Sequence, residues 1–328
     1  MDITNPAYIE VDLNNLEYNY NIIKEKVNEF SEVMAIVKAD AYGLGLESIV
    51  KELISLGVNK FGVEHVSEAI QIRKKFKYAY ILVMGYTHVD SVESAIENDI
   101  VLSVFLKEQA KLFSNKAKYL NKRLSIHLKY EGGLNKIGFR PTRKSIDDIQ
   151  EIYGMDKIFL EGIFADFPSA QDDEPYTRKA MDTFKDFIKE LIDKGIHIPF
   201  KHVNMTMAII NFPEQRFNMV RIESMLYGIS PCLKANDDIL NVKSCLSLKA
   251  QVFDVKTIEL VKKLIHKFNL EVKRKTKVAT VTLGCFDAYS RELSNVREVL
   301  VKGKRCSVIG RIYMDQIMID VTGLKVMR

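Results

Sequence analysis

The chain has 328 residues, 47% of them hydrophobic and 28% charged, so it is long enough for a large core and for two domains. Its formal charge of +5 is a mild bias, and no basic run interleaved with aromatic residues predicts a nucleic-acid partner. The four cysteines lack C-x-x-C spacing, which argues against a disulfide scaffold and against zinc, and the absence of an 18-residue apolar run or a signal peptide predicts a cytoplasmic protein without a membrane partner.

Short apolar runs alternate with amphipathic stretches from Tyr8 to about Ser230. Between the runs lie helical patterns such as LESIVKELISLG, which ends at Gly57, where a left-handed residue can close a helix. Eight or nine such repeats favour a (β/α)8 barrel over an open sheet, with an active site at the C-terminal ends of its strands. The predicted strands cover 8–13, 33–38, 60–64, 79–85, 99–105, 123–129 and 158–165, with less clear strands around HIPFKHVN and FNMVRIE.

The pattern changes after the barrel, which we assign to residues 1–232. LSLKAQVFDVKTIEL, KVATVTLG, EVLVKGKRCSVIGRI and MIDVTG predict strands with turn residues and few helices. We therefore predict a smaller all-β domain over residues 233–328. The most basic segment, 262–277, is interpreted as a solvated surface hairpin or helix.

Two strand ends carry candidate chemistry. The run VMAIV is followed directly by Lys38, where poor hydration would lower the pKa of the amine and make it a nucleophile able to form a Schiff base, although most lysines at such ends are simply solvated. The stretch VTLGCFDAYSRELSN places Cys285 after a strand and Gly284. That thiol is either a working acid or base or a small buried hydrophobic side chain.

Five collinear segments resemble the alanine racemases, which use pyridoxal 5'-phosphate. VKADAYGLG is similar to their cofactor-lysine motif, VRIESMLYGISP to their arginine segment, and GRIYMDQIMIDVTG to a late signature of their β domain. KFGVEHVSEAIQIR resembles a barrel segment, and VTLGCFDAYSRELSN is a divergent form of GYADGY-R-LSN. The resemblance runs from Tyr8 to Thr322 and implies the barrel followed by the β domain.

The resemblance implies a role for each matched residue. Lys38 would hold pyridoxal phosphate and act as the base on one face of the substrate Cα, and Tyr42 would donate to the cofactor phosphate. Arg221 would face the pyridine nitrogen, and because arginine does not give up its proton, that nitrogen would stay unprotonated. Lys129 matches a lysine that supports a substrate-binding arginine and is often carbamylated. Met314 and Asp315 match residues that meet the substrate carboxylate from a partner subunit, which implies a homodimer with shared active sites.

Two departures fall on neighbouring positions of the family's proton relay. The family's second base is a tyrosine, and here that position is Cys285; the barrel histidine bonded to it is replaced by Asp166. A thiol has an ordinary pKa of about 8.5 against about 10 for a phenol, so it can exchange a proton near neutral pH if it reaches the substrate. The Asp166 carboxylate would raise the pKa of that thiol, unless it pairs with Arg221 instead.

Further departures concern cofactor and substrate binding. Lys136 stands where the family has an arginine that bonds the cofactor phenolate and the substrate carboxylate, so the bidentate fork is lost. In HVNMTM, Thr206 can replace a phosphate-binding serine. Glu223 replaces a glycine beside the phosphate and would repel it unless it points outward, with Ser224 as an added donor. The sequence stops at Arg328, before a phosphate-binding tyrosine of the family, so we expect weakened cofactor affinity. Tyr313 replaces a cysteine and either packs in the core or lies near the substrate as a relocated phenol.

We therefore predict a pyridoxal-phosphate-dependent isomerase, an amino-acid racemase with Lys38, Cys285 and Asp166 in the reacting centre. Because a thiol is shorter than a phenol, we expect a substrate other than, or larger than, alanine. The alternatives are an amino-acid decarboxylase that uses Cys285 as proton donor, or a catalytically inactive relative that binds pyridoxal phosphate. His127 and His202, on barrel strands, are expected to satisfy core hydrogen bonds.

Overall fold

The structure, a computed structural model, describes residues 5–27, 31–133, 135–167, 174–204, 217–229, 241–259 and 274–326. It divides the chain into two compact units. One unit is continuous, from Asp12 to Cys245, and the other combines Met1–Val11 with Leu246–Arg328.

The continuous unit is a closed barrel of eight parallel strands, which confirms the predicted (β/α)8 architecture. Most residues of its strands are buried on both faces, as expected when a parallel sheet is covered by helices outside and filled by side chains inside. All four residues of KFGV, for example, are buried. The barrel strands are β2 (Glu32–Ile36), β3 (Lys60–Val63), β4 (Tyr80–Val83), β5 (Val101–Val104), β6 (Leu124–Tyr130), β7 (Ile158–Ala165), β8 (Phe200–Asn204) and β9 (Met219–Ile222).

The helices between the strands each bury one apolar face. In the helix Arg143–Tyr153, Ile146, Ile149 and Ile152 recur at helical spacing and are fully buried, and the Thr142 hydroxyl caps its N-terminus by accepting from the Ser145 amide. Besides two 3-10 turns, Val89–Ser91 and Ser224–Tyr227, the described helical elements of this unit are α1 (Leu13–Lys26), α2 (Lys38–Gly43), α3 (Leu46–Ser55), α4 (Val66–Lys75), α5 (Val92–Glu97), α6 (Lys107–Tyr119), α7 (Arg143–Tyr153) and α8 (Glu174–Asp193). The predicted helix end at Gly57 is confirmed, since Gly57 has φ +91° just after α3.

The second unit consists of two antiparallel sheets, one of two strands and one of five. Inward-facing apolar residues, including Ala279, Val308 and Ile319, form its core. The strands are β1 (Ala7–Val11), β10 (Leu246–Ala250), β11 (Val252–Ile258), β12 (Thr276–Val281), β13 (Glu298–Val301), β14 (Lys304–Ile309) and β15 (Ile317–Asp320). The smaller sheet is the pair β1–β10, and the larger has the order β11-β12-β15-β14-β13.

The structure differs from the sequence prediction in the place of the first strand. We expected YIEVDL to belong to the barrel, but β1 pairs with β10, with Ile9 opposite Leu248. A single strand pattern does not identify its partner, and here the partner lies more than 230 residues along the chain. The predicted boundary between residues 232 and 233 falls in 230–240, outside the described residues, as does most of the basic segment 262–277. No helix in the described ranges is long and apolar enough to cross a membrane.

Candidate active site

Lys38 lies where the sequence places it, two residues after β2, at the C-terminal end of the barrel strands. Its Nζ is 3.4 Å from Oε2 of Glu64, the residue that directly follows β3. The Lys38 side chain is 37% exposed, so it is better hydrated than the preceding apolar run led us to expect. Glu64 was missed in the sequence analysis, although it follows its strand in the same way as Lys38 follows β2.

The segment after Lys38 is a single turn of left-handed helix. Residues 39–42 have φ between 53° and 59°, a region that costs about 1–2 kcal/mol per non-glycine residue. The turn is held from outside, since the Asp40 carboxylate accepts from the Leu46 amide at 2.8 Å. Such strain concentrates at functional sites, where the surrounding fold imposes it. Its effect here is to bring Tyr42 back towards β9.

Tyr42 contacts the residues that follow β9. Its ring centroid lies 5.0 Å from that of Tyr227, and its hydroxyl donates to Oε2 of Glu223 at 3.3 Å. Burial and then the Glu223 carboxylate raise the pKa of Tyr42 above its ordinary value. Glu223 therefore points towards the tyrosine that the family resemblance assigns to the cofactor phosphate.

Asp166, which directly follows β7, joins two cations. Its Oδ1 accepts from Nη2 of Arg221, on β9, and its Oδ2 accepts from Nζ of Lys129, on β6. Burial alone would raise the pKa of Asp166, but Arg221, Lys129 and Lys38 together hold it below its usual range. Burial lowers the pKa of Lys129, and the charge of Asp166 opposes that shift. Both carboxylate oxygens of Asp166 are therefore bonded to cations of the same barrel.

Arg221 is fully buried, and most of its donors are committed. Nη2 bonds Asp166 and the Ala165 carbonyl, and Nη1 bonds Nδ1 of His202 at 2.9 Å. Its Nε has no hydrogen-bond partner within the part of the chain that the structure describes. A buried, unpaired donor is costly, so this N–H is available to an acceptor that enters the barrel mouth.

Three further barrel residues were predicted for the site: Lys136, Thr206 and Ser224. Ser224 begins a short 3-10 turn, Ser224–Tyr227, directly after Glu223. Lys136 is exposed in the loop after β6. Thr206 lies outside the described residues.

In the second unit, two loops hold the predicted residues Cys285, Tyr313 and Met314 together. The Cys285 amide donates to the Tyr313 carbonyl at 2.9 Å, and the Phe286 amide donates to the Met314 carbonyl at 2.8 Å. Gly284 is required by this approach, because a Cβ there would lie 2.3 Å from the Met314 carbonyl oxygen.

The Cys285 thiol is free and half-buried, packed against the edge of the β core. Tyr313 is half-buried, and Met314 and Asp315 are exposed. The Asp287 carboxylate accepts from the Gly284 amide at 2.9 Å, so Asp287 braces the loop. The two loops therefore place the thiol and the 313–315 segment side by side at one edge of the β unit.

Family models match nearly the whole chain. Residues 11–231 match the model described as "Alanine racemase, N-terminal domain", and residues 245–328 match "Alanine racemase, C-terminal domain". An alanine racemase of Methanococcus maripaludis is 35% identical over 324 residues, which cover 98% of this chain and 87% of the relative. Alanine racemase 1 of Oceanobacillus iheyensis is 36% identical, with 96% and 84% coverage.

Solved structures give the same result. The alanine racemase of Clostridium difficile 630 superposes with a TM-score of 0.94 at 32% identity, covering all of this chain and 86% of its own. The alanine racemase of Bacillus anthracis with bound L-Ala-P has a TM-score of 0.89 at 28% identity, with 100% and 84% coverage.

Proposed function

Since the chain belongs to the alanine racemase family, we propose that it is a pyridoxal-phosphate-dependent amino-acid racemase. The observation that carries the proposal is the Nε–H of Arg221, which has no partner among the described residues and is buried on the strand next to the one that leads to Lys38. Of the side chains in this site, arginine is the one that stays protonated, so it donates to a neutral ring nitrogen without protonating it. The residues at this end of the site therefore fit the cofactor ring.

The chain's own residues divide the work of the reaction. Lys38 would hold the cofactor and move a proton at the substrate Cα, and Arg221 would bind and orient the ring. Pyridoxal phosphate, when bound, withdraws electrons from that carbon and so makes its proton acidic. Asp166 would hold Arg221 and Lys129 in place. Lys136, Met314, Asp315 and Tyr313 remain the residues proposed for substrate binding.

The second proton donor is proposed to be the Cys285 thiol of a second copy of the chain. The loop contacts that fix Cys285 beside residues 313–315 support this role, because a proton donor must be held within hydrogen-bond reach of its target. A thiol is shorter than the phenol found at this position in the family. We therefore propose a substrate other than, or larger than, alanine.

The phosphate end of the site fits the cofactor less well. Tyr42 and Ser224, with Thr206 outside the described residues, are the proposed phosphate donors. Tyr42 donates instead to Glu223, whose carboxylate would repel a phosphate dianion. We propose that the chain binds pyridoxal phosphate weakly, with Glu223 turned aside in the loaded state.

The test is a screen of amino-acid enantiomers in deuterated water, with and without added pyridoxal phosphate, read by mass spectrometry. We expect deuterium at Cα of the substrate from both enantiomers, and loss of the yellow colour of the loaded protein in Lys38→Ala. Deuterium from one enantiomer without inversion would exclude racemisation. Release of amine and carbon dioxide would identify the decarboxylase instead, and cofactor binding without turnover would identify an inactive relative.

A further inference from the structure

A line of polar side chains runs through the barrel interior from the N-terminal ends of the strands to the candidate active site. The Tyr80 hydroxyl, at the start of β4, is 3.1 Å from Oε2 of Glu161 and 2.8 Å from Nε2 of His127. Nδ1 of His127 is 2.8 Å from Nε2 of His202, and Nδ1 of His202 is 2.9 Å from Nη1 of Arg221. We call these five residues the barrel chain.

The chemistry of its two ends fixes the direction of every bond in the barrel chain. Arg221 can only donate, so Nδ1 of His202 must accept. A neutral imidazole then carries its proton on Nε2, and that N–H donates to Nδ1 of His127. By the same reasoning Nε2–H of His127 donates to the Tyr80 oxygen. The tyrosine hydroxyl is left to donate to Glu161, a carboxylate that accepts. Arg221 at one end only donates and the Glu161 carboxylate at the other only accepts. Every bond of the barrel chain therefore pairs one donor with one acceptor.

The surroundings keep both rings neutral and in place. His127 and His202 are fully buried, and the charged groups that face them are the cations Arg221 and Lys129 near the active site and Lys60 near Tyr80. Burial and then Arg221 lower the pKa of His127 to about 3 and lower that of His202 well below its usual value.

Packing fixes the two rings as well. The His202 ring stacks on Phe164 with centroids 5.2 Å apart. Gly162 makes room for the His127 ring, since a Cβ there would lie 2.4 Å from it.

We propose that Glu161 and Tyr80 are positioning residues for Arg221. They anchor the far end of the barrel chain so that His202 presents an unprotonated Nδ1 to Nη1 of Arg221. With Nη1 and Nη2 both committed, the guanidinium plane is fixed and its unpaired Nε–H keeps one orientation. The importance of that orientation for pyridoxal phosphate rests on the proposed function, whereas the direction of the bonds does not.

The first test reads the two tautomers by long-range ¹⁵N NMR of the full chain labelled at its six histidines, without cofactor. We expect His127 and His202 to carry the proton on Nε2 and to stay neutral between about pH 5 and 8, because their pKa values are lowered. A proton on Nδ1 of His202, or protonation of either ring in that range, would overturn the proposal.

The second test removes a hydrogen-bonding group at the far end of the barrel chain with Tyr80→Phe. Tyr78→Phe is the matched control, because Tyr78 is 97% exposed. Tyr80→Phe should shift the Arg221 guanidinium ¹⁵N resonances and raise the dissociation constant of pyridoxal phosphate roughly three- to tenfold, the effect of one hydrogen bond. Glu161→Gln keeps an accepting oxygen and should behave as wild type, whereas Glu161→Leu should resemble Tyr80→Phe.

Unchanged Arg221 resonances in folded Tyr80→Phe and Glu161→Leu would refute the positioning role, and this readout needs no cofactor. If the wild-type protein binds no pyridoxal phosphate while its histidine tautomers and Arg221 resonances behave as expected, the proposed function is wrong. The positioning role of Glu161 and Tyr80 is then still supported. The two failures are therefore distinguishable.

Discussion

At the scale of single residues, the charge balance of the site depends on Asp166. One carboxylate faces two buried cations, Arg221 and Lys129, and both of its oxygens are engaged. A histidine at this position would bond the arginine but could not compensate two positive charges. Asp166 therefore acts as the counter-ion of both cations.

Asp166→Asn should lower the free energy of unfolding by about 2–4 kcal/mol at neutral pH, because removing one partner of a buried ion pair leaves the other charges uncompensated. Chemical denaturation measures this change. Asp147→Asn is the control, since Asp147 is 54% exposed and forms an ion pair across one helical turn with Arg143. Equal effects of the two substitutions would show that the buried cations do not need Asp166.

The same residue predicts a pH dependence. Because the folded-state pKa of Asp166 is held below the unfolded value of about 4, its contribution to stability is present above pH 4 and is lost as the pH falls through the folded-state pKa. Acid unfolding of Asp166→Asn should therefore lack this contribution. We expect the stability difference between wild type and variant to shrink steadily below pH 4 in denaturation at graded pH.

Glu223 should oppose cofactor binding by charge. Glu223→Gln keeps the shape of the side chain and an oxygen that can accept from Tyr42, but it removes a negative charge near the proposed phosphate position. We expect the dissociation constant of pyridoxal phosphate to fall roughly fivefold, an electrostatic effect on the order of 1 kcal/mol. Absorbance titration measures it. Glu47→Gln, at a side chain 65% exposed, should leave the constant unchanged; weaker binding in Glu223→Gln would contradict the expectation.

At the scale of elements, the left-handed turn α2 is the most strained segment near Lys38. Ala39 is exposed and has φ 54°, so Ala39→Gly removes the Cβ conflict without opening a cavity. We expect stability to rise by about 0.5–1 kcal/mol, because glycine tolerates positive φ. Thermal unfolding provides the measurement.

The same Ala→Gly substitution should lower stability when the alanine lies in a right-handed helix. Ala180→Gly, within α8, should destabilise by about 1 kcal/mol, since glycine is a poor residue inside a helix. A loss of stability in both variants would mean that α2 carries no strain that glycine relieves.

The elements also show what a single sequence can and cannot predict. The barrel strands follow from apolar runs of five to eight residues, and Lys38 follows from its place at a strand end. Asp166 was predicted from the family resemblance, not from the strand pattern. The left-handed turn could not be predicted, because KADAYG has two alanines at positive φ, and the contacts that hold them there, such as the bond from the Asp40 amide to Glu68, come from outside the segment. The contact of Glu223 with Tyr42 was also out of reach, since the direction of a side chain depends on packing from distant segments.

At the scale of the whole molecule, the residues proposed for the site lie on both units of the fold. The proposed cofactor residues, except Thr206, lie on described parts of the barrel, and Cys285 with residues 313–315 lies on the β unit. If the barrel of one copy uses the β unit of another, neither copy of a homodimer has a complete site by itself.

Two inactive variants should therefore complement each other. Lys38→Ala and Cys285→Ala, mixed and exchanged under mild denaturation, form dimers in which one site carries both defects and the other carries none. With random pairing, about a quarter of all sites are intact, and we expect about a quarter of wild-type activity. Each variant treated alone is the control, and a mixture no more active than its components would place both residues in the same copy.

The pairing of β1 with β10 affects how the protein folds during its synthesis on the ribosome. Strand β1 cannot pair until residues 246–250 have been translated, whereas residues 12–245 form a continuous unit that can fold meanwhile. At typical elongation speeds this delay is on the order of ten seconds or more. During that interval the unpaired edge of β1 can pair with another nascent chain, so we expect misassembly to increase when ribosomes are closely spaced on one messenger RNA.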